Sequence, residues 1–125
     1  MTSLIYKEEV YKVVGICMDI YNTLGFEFLE IVYKDAMEIE FIETEMKHIR
    51  EQKFPIVYKG RKLKRSFFSD FILFDKIIVE VKANADGIPE DAIAQTINYL
   101  KDSGNRVGLI INFGKRKLEY KRVVF

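Results

Sequence analysis

Two acidic residues and a lysine interrupt apolar stretches in the middle of the chain. Asp70 lies within Ser69–Phe74, and Glu80 and Lys82 lie within Ile77–Lys82. Residues two apart in a strand point to the same face, so Glu80 and Lys82 share one. An unpaired buried charge is strongly unfavourable, so these side chains need a partner or a cation. The pattern suits metal-assisted phosphodiester cleavage, and a structural ion pair of Lys82 with Glu80 or Asp70 explains it equally.

The register of the predicted hairpin decides whether the two acids meet. If Asp70 lies opposite Glu80, Leu73 pairs with Ile77 and three residues form the connection. A two-residue turn shifts the register by one and sends the carboxylates to opposite faces. On one face, Asp70 and Glu80 can bind Mg²⁺ or Mn²⁺, and Lys82 can position the attacking water or stabilise developing negative charge.

Polar residues on two predicted helices extend this candidate site. Glu30 borders the apolar stripe of the second helix, where an acid suits a metal site, although Lys34 at i+4 offers a surface ion pair instead. Gln95 and Tyr99 lie one turn apart on the third helix. They can reach a phosphate or a water, or serve as ordinary hydrogen-bonding residues. The single histidine, His48, is expected at the surface.

The net charge of +1 conceals a strong asymmetry along the chain. Residues 1–51 contain 11 acidic and 5 basic residues, whereas residues 52–125 contain 8 acidic and 15 basic residues. Clustered bases attract phosphate backbones, although lysines also protect exposed strand edges. The predicted nucleic-acid-binding residues form two clusters, Lys59, Arg61, Lys62, Lys64 and Arg65 in one and Lys115, Arg116 and Lys117 in the other.

Hydrophobic periodicity predicts eight elements around one mixed sheet. The predicted helices are Ile5–Leu24, Phe28–Glu43 and Pro89–Asp102, and the predicted strands are Ile49–Tyr58, Arg65–Phe74, Lys76–Lys82, Val107–Phe113 and Lys117–Phe125. Leu29, Val32, Tyr33, Ala36 and Met37 are the expected apolar stripe of the second helix. The order α-α-β-β-β-α-β-β predicts an α/β domain.

Composition indicates a single globular domain over residues 1–125, with 49% apolar and 31% charged residues. No apolar run approaches the ~20 residues that span a membrane, and no secretory signal is visible. The single cysteine, Cys17, excludes an internal disulfide and is expected in the core. These features favour a cytoplasmic location.

Four segments together resemble the PD-(D/E)xK nuclease superfamily and, within it, the GxxExxY protein family. They are Leu24–Tyr33, Asp70 with Glu80–Lys82, Ala94–Leu100 and Leu109–Gly114. One position departs from the motif, because its glycine falls at Glu27, while Glu30 and Tyr33 match. Gly25 is expected to supply the chain reversal instead.

The resemblance implies a restriction-endonuclease-like core, a central mixed β-sheet flanked by helices. It implies that Asp70 and Glu80 bind Mg²⁺ or Mn²⁺, that Lys82 is the catalytic lysine and that Glu30 completes the site. It also places Gln95 and Tyr99 on the active-site face. The leading hypothesis is a nuclease acting on DNA or RNA. The alternatives are a non-catalytic nucleic-acid-binding module and a protein-interaction module, which includes a homodimer.

Overall fold

The computed structural model describes residues 5–125 and contains the eight elements in the predicted order. The helices are α1 (Lys7–Leu24), α2 (Glu30–Glu43) and α3 (Glu90–Ser103). The strands are β1 (His48–Tyr58), β2 (Arg61–Leu73), β3 (Ile77–Lys82), β4 (Val107–Asn112) and β5 (Glu119–Val124). The predicted fold class is therefore confirmed.

The five strands form one mixed sheet in the order β1-β2-β3-β4-β5. Strands β3 and β4 are parallel, and the other neighbours are antiparallel. Alternate residues of β3 pack into different layers. Val79 joins the core beneath α1 and α2, whereas Ile78 packs with Leu100 of α3. Every residue of β4 is buried, as the apolar sequence of this strand predicts for a strand covered on both faces.

The β1–β2 hairpin is longer than the sequence predicts. Strand β2 begins at Arg61 rather than Arg65, because Lys59 and Gly60 both adopt positive φ (49° and 77°) and Tyr58 pairs with Arg61. Two such residues match the twist of the flanking strands, so pairing starts immediately after the turn. The first basic cluster consequently lies on a strand. Pro55 fits its predicted setting, since β1 is an edge strand whose register shifts between Pro55 and Val57.

The helix boundaries also differ at their N-terminal ends. Helix α1 begins at Lys7, and α2 begins at Glu30 because Leu29 is extended at its N-cap. Leu29 is 76% exposed, so its predicted place in the apolar stripe is wrong. Gly25 ends α1 with φ 78°, and its N–H donates to the Tyr21 carbonyl (2.8 Å). Gly25 therefore ends the helix in the positive-φ conformation that is typical of a helix C-terminus, and its part in the chain reversal stays a prediction.

Candidate active site

The β2–β3 hairpin has the odd-numbered connection that a shared carboxylate site requires. Leu73 pairs with Ile77 and Phe71 with Val79, so three residues form the connection. The same register brings Asp70 beside Glu80. The backbone N–H of Asp70 donates to Glu80 Oε2 (2.9 Å), which places the two acids in direct contact. The hypothesis of the matched register is confirmed.

Each carboxylate accepts a backbone N–H from the opposite strand. Asp70 Oδ2 accepts from Val81 N–H (2.7 Å), and Glu80 Oε2 accepts from Asp70 N–H. Side-chain oxygens thus continue the hydrogen bonding beyond the last paired residues, Phe71 and Val79. Because backbone groups hold both carboxylates, their positions are set by the sheet itself.

Lys34 of α2 reaches into this site and does not form the surface pair with Glu30 that its spacing allows. Its side chain is only 8% exposed, and its Nζ donates to Asp70 Oδ1 (2.9 Å) and to a carboxylate oxygen of Glu51. Burial alone would lower the pKa of Lys34, but the hydrogen bonds to Glu51 and Asp70 outweigh burial and raise it. Lys34 is therefore a buried, charged bridge between α2 and two strands.

Glu51 occupies an unusual backbone position in the middle of β1. Its φ is +56°, although the pairing of Arg50 with Phe71 and of Gln52 with Ser69 continues on either side. By that register Glu51 lies opposite Asp70. A left-handed conformation at a non-glycine residue costs on the order of 1–3 kcal/mol and persists only where surrounding contacts fix it. The ion pair with Lys34 is such a contact.

Strand β2 changes the layer that it faces at Asp70. Phe71 packs edge-on against Phe41 of α2 (centroids 5.1 Å apart), whereas Phe67 stacks on Tyr99 of α3 (3.8 Å). In a regular strand, residues four apart face the same side. The strand therefore does not alternate regularly between Phe67 and Phe71, and Asp70, which lies between them, contacts Lys34 of α2 and the backbone N–H of Val81 in β3.

Glu80 is 8% exposed, and its ionisation is strongly disfavoured. Burial, followed by the negative charge of Asp70, raises the pKa of Glu80 to about 8. Lys82 and Lys34 act in the opposite direction. A buried carboxylate next to a second carboxylate is a setting that favours an added cation.

The charges of the site, including that of Lys82, act on Glu30. Burial and then the charge of Asp70 raise the pKa of Glu30, whereas Lys82 and Lys34 lower it. Within residues 5–125, Lys82 forms no ion pair, so the structural pairs considered for it are absent. Its ammonium group is thus available beside the carboxylates.

Tyr99 and Gln95 of α3 differ in their settings. Tyr99 lies against Phe67 and close enough to the acids that, after burial, the charges of Glu80 and Asp70 raise its pKa. Gln95 is exposed, and its side chain has no hydrogen-bond partner in the described part of the chain. His48, expected at the surface, is partly buried, and its Nδ1 lies 2.8 Å from the Met46 carbonyl oxygen.

Both basic clusters lie at the end of the sheet where β3 and β4 terminate. Lys82 pairs with Asn112, and the connection that carries Lys115, Arg116 and Lys117 follows Asn112 directly. Strand β2 is antiparallel to β3, so its first residue, Arg61, lies toward the same end. All members of the two clusters are exposed: Lys59, Arg61, Lys62, Lys64, Arg65, Lys115, Arg116 and Lys117.

A family model described as the PD-(D/E)XK nuclease superfamily matches residues 7–123. The chain belongs to this superfamily. The crystal structure of SSO0001 is similar to the described fold, with a TM-score of 0.60 and 15% sequence identity. The match covers 95% of this chain and 59% of SSO0001, so the chain spans about three fifths of that protein. Among curated proteins, none matches the chain in sequence.

PD-(D/E)XK nucleases generally use divalent metal ions. Asp70, Glu80 and Glu30 offer only carboxylate oxygens, the donors that hard cations prefer. Within residues 5–125, no three histidine, cysteine, aspartate or glutamate side chains are grouped closely enough to hold a metal ion. The chemistry of these donors thus fits a hard cation. In the structure, Lys34 Nζ donates to one of the donor atoms, Asp70 Oδ1. Glu30 as a third ligand stays a prediction. No helix among the described residues has the length and apolarity to cross a membrane.

Three residues near the site were not found by sequence reasoning. Helix spacing assigns Lys34 to the solvent-facing side of α2, and no feature of the sequence predicts a left-handed backbone at Glu51. Asn112 could have been found from a weak sequence signal, because it is a polar residue at the end of an apolar strand. Its side chain accepts N–H groups from Asn84 and Gly114 and donates to the Asn84 carbonyl, which fixes the segment after Lys82.

Proposed function

We propose that this protein is a Mg²⁺-dependent nuclease that hydrolyses phosphodiester bonds in DNA or RNA. The observation that supports it best is the contact of Asp70 with Glu80 at the predicted register, with Lys82 two residues further along the same strand. The two exposed basic clusters at the same end of the sheet support a polyanionic substrate.

The residues of the site suggest separate roles. Asp70 and Glu80 would hold the cation, with Glu30 as a further ligand. A bound Mg²⁺ or Mn²⁺ supplies Lewis-acid polarisation of a phosphoryl oxygen and a water of lowered pKa. Lys82 orients the attacking water or stabilises the negative charge that develops on the phosphate.

The residues of α3 and the basic clusters would act on the nucleic acid itself. Tyr99 and Gln95 would contact the phosphate or the water. The bases on β2 and in the β4–β5 connection would bind the nucleic-acid backbone by charge, which positions the substrate without reading its sequence.

Membership of the GxxExxY family is part of this proposal. The motif tyrosine, Tyr33, is buried, donates its hydroxyl to the Gly25 carbonyl (2.6 Å) and accepts the Phe28 N–H (3.2 Å). It therefore fixes the connection that presents Glu30. Position 27 needs no glycine here, because Gly25 carries the positive φ.

The test is cleavage of single- and double-stranded DNA and RNA by purified protein with Mg²⁺, with Mn²⁺ or with EDTA. We expect cleavage only with a metal, and a loss of at least about 100-fold in Asp70→Asn and Lys82→Gln, the scale of one electrostatic catalytic group. Asp75→Asn and Lys47→Gln are matched controls, because that exposed ion pair lies at the hairpin connection outside the site.

Two results would count against the proposal. Cleavage that survives unchanged in both site variants would indicate a contaminant. Salt-sensitive binding without cleavage of any substrate would favour the non-catalytic nucleic-acid-binding module instead.

A further inference from the structure

Lys34 is placed between two acids that differ in their surroundings. Its ammonium group contacts Asp70, whose side chain is 18% exposed, and Glu51, whose side chain is 49% exposed. Asp70 is fixed by Val81 N–H and by its neighbour Glu80, whereas Glu51 accepts no other hydrogen bond from a described residue. The lysine thus has one acceptor inside the carboxylate cluster and one at its rim.

Asp70 lies among other acids, and Lys34 is the cation that compensates for its charge. The Asp70 side chain is only 18% exposed, its backbone N–H donates to the Glu80 carboxylate, and Lys34 Nζ lies 2.9 Å from its Oδ1. Removing Lys34 from Asp70 without replacement would leave a partly buried carboxylate unpaired, which is strongly unfavourable. A divalent cation at the same oxygen supplies that replacement.

We propose that Lys34 is an exchangeable counter-ion of Asp70, which competes with the divalent cation for Oδ1 and is retained by Glu51 when the cation binds. This inference rests on the metal site of the proposed function and adds a regulation of it. The exchange needs only a small movement, since Lys34 Nζ already donates to both acids. Glu51 is then a positioning residue, which acts on the metal through Lys34.

The proposal predicts opposite effects for the two partners. Lys34→Met removes the competitor, and we expect Mn²⁺ to bind about tenfold more tightly. Glu51→Gln weakens the rim acceptor and leaves the lysine on Asp70, and we expect about tenfold weaker binding, the lower end of the effect of residues next to metal ligands. Lys34→Arg keeps a cation at the site and should bind Mn²⁺ as the wild type does.

The experiment is calorimetric titration of Mn²⁺ into the metal-free full chain, without nucleic acid, supported by the shift in melting temperature on adding Mn²⁺. Lys34→Gln repeats the test if Lys34→Met does not fold. Lys47→Met is the control, because Lys47 forms an exposed ion pair with Asp75 away from the site. The double variant Lys34→Met/Glu51→Gln distinguishes an effect of Glu51 through Lys34 from a direct effect of the Glu51 charge on the metal. If Glu51 acts through Lys34, adding Glu51→Gln to Lys34→Met should change the Mn²⁺ affinity little.

Three outcomes would overturn the inference. The first is that Lys34→Met and Lys34→Gln bind Mn²⁺ no more tightly than the wild type, which includes the absence of binding in all of them. The second is an unchanged affinity in Glu51→Gln. The third is that Glu51→Gln weakens Mn²⁺ binding equally in the presence and in the absence of Lys34. The charge of Glu51 would then act on the metal directly and not through Lys34.

Cleavage assays judge the proposed function separately. The expected binding pattern without cleavage would refute nuclease activity alone. Metal-dependent cleavage without that binding pattern would refute the counter-ion role of Lys34 alone.

Discussion

Glu80 is the residue whose protonation links the site to the stability of the fold. It is almost fully buried and accepts an N–H from Asp70, the very residue whose charge opposes its ionisation. A carboxylate that is kept in this position despite such a cost is expected at a functional site, where a bound ion compensates for it. Stability measured without metal should therefore report on the site.

Replacing Glu80 by glutamine should stabilise the metal-free protein in a pH-dependent way. The pKa of Glu80 is about 8 in the folded protein and near 4.5 when unperturbed. Below pH 4.5 both states hold the proton, so the variant and the wild type should be similarly stable. As the pH rises toward 8, the unfolded wild type ionises while the folded one does not, so the wild type loses stability that the variant keeps. Urea unfolding in EDTA across this pH range measures the difference.

An exposed acid provides the control for this measurement. Glu43→Gln at the end of α2 removes one negative charge outside the site, so its effect on the free energy of unfolding should vary little over the same pH range. Mg²⁺ should stabilise the wild type most above pH 8, where the Glu80 carboxylate is ionised. Parallel stability curves for the wild type and Glu80→Gln would contradict the buried-acid interpretation.

At the scale of elements, the close packing of α3 on β4 fixes the helix that carries Tyr99. A methyl group added at Gly108 of β4 would lie 2.6 Å from Thr96 Cγ2 and 3.7 Å from the nearest Leu100 methyl carbons. The first distance is too short for real atoms, whereas the second is an ordinary contact. The absence of a side chain at Gly108 therefore lets Thr96 of α3 approach the sheet closely.

Gly108→Ala should therefore destabilise the protein by about 1–3 kcal/mol, the usual cost of overpacking a core. Thr96→Ser removes the clashing methyl but keeps the hydroxyl that donates to the Ala92 carbonyl (2.8 Å). We expect the double variant to recover most of the loss, which a double-mutant cycle from urea unfolding measures directly.

Gly15 offers the matched control for this cycle. It lies exposed on α1, and a methyl group there would meet nothing within 4 Å. Gly15→Ala should stabilise the protein by about 0.5–1 kcal/mol, because alanine favours the helix. Additive effects of Gly108→Ala and Thr96→Ser would show that the two residues do not touch.

Some of the elements and contacts can be predicted from the sequence, and others cannot. Periodicity identifies all eight elements. Whether the hairpin connection at Asp75 has an odd or an even number of residues is enough to test whether Asp70 and Glu80 meet. Helix spacing alone assigns Lys34 to the surface, because it says nothing about which strand residue faces a helix. Glu51 escapes prediction because a left-handed residue inside a strand depends on tertiary contacts that have no local signal.

At the scale of the whole molecule, the sheet collects positive charge at one end. The β1–β2 hairpin extends past the end of β3, and its exposed bases follow the turn at Gly60. The second cluster, in the β4–β5 connection, lies at the same end. Asp70 lies further along β2, the strand that carries the first cluster, and Glu80 lies on the neighbouring β3, between that strand and the second cluster. We therefore expect one nucleic acid that contacts both clusters to pass the carboxylates.

Binding of nucleic acid should accordingly depend on both clusters and on salt. Neutralising Lys62, Lys64 and Arg65 to glutamine should weaken duplex binding and reduce the slope of log K against log salt by roughly 0.9 for each phosphate that is no longer neutralised. Neutralising Lys115, Arg116 and Lys117 should act similarly. Fluorescence anisotropy with a labelled duplex in EDTA, between about 50 and 200 mM salt, gives the affinity and the slope. The control neutralises Lys12, Lys47 and Lys101, three exposed lysines outside both clusters, and should change the slope little. If all three triple variants reduce the slope equally, binding follows net charge alone and the proposed path across the carboxylates is refuted.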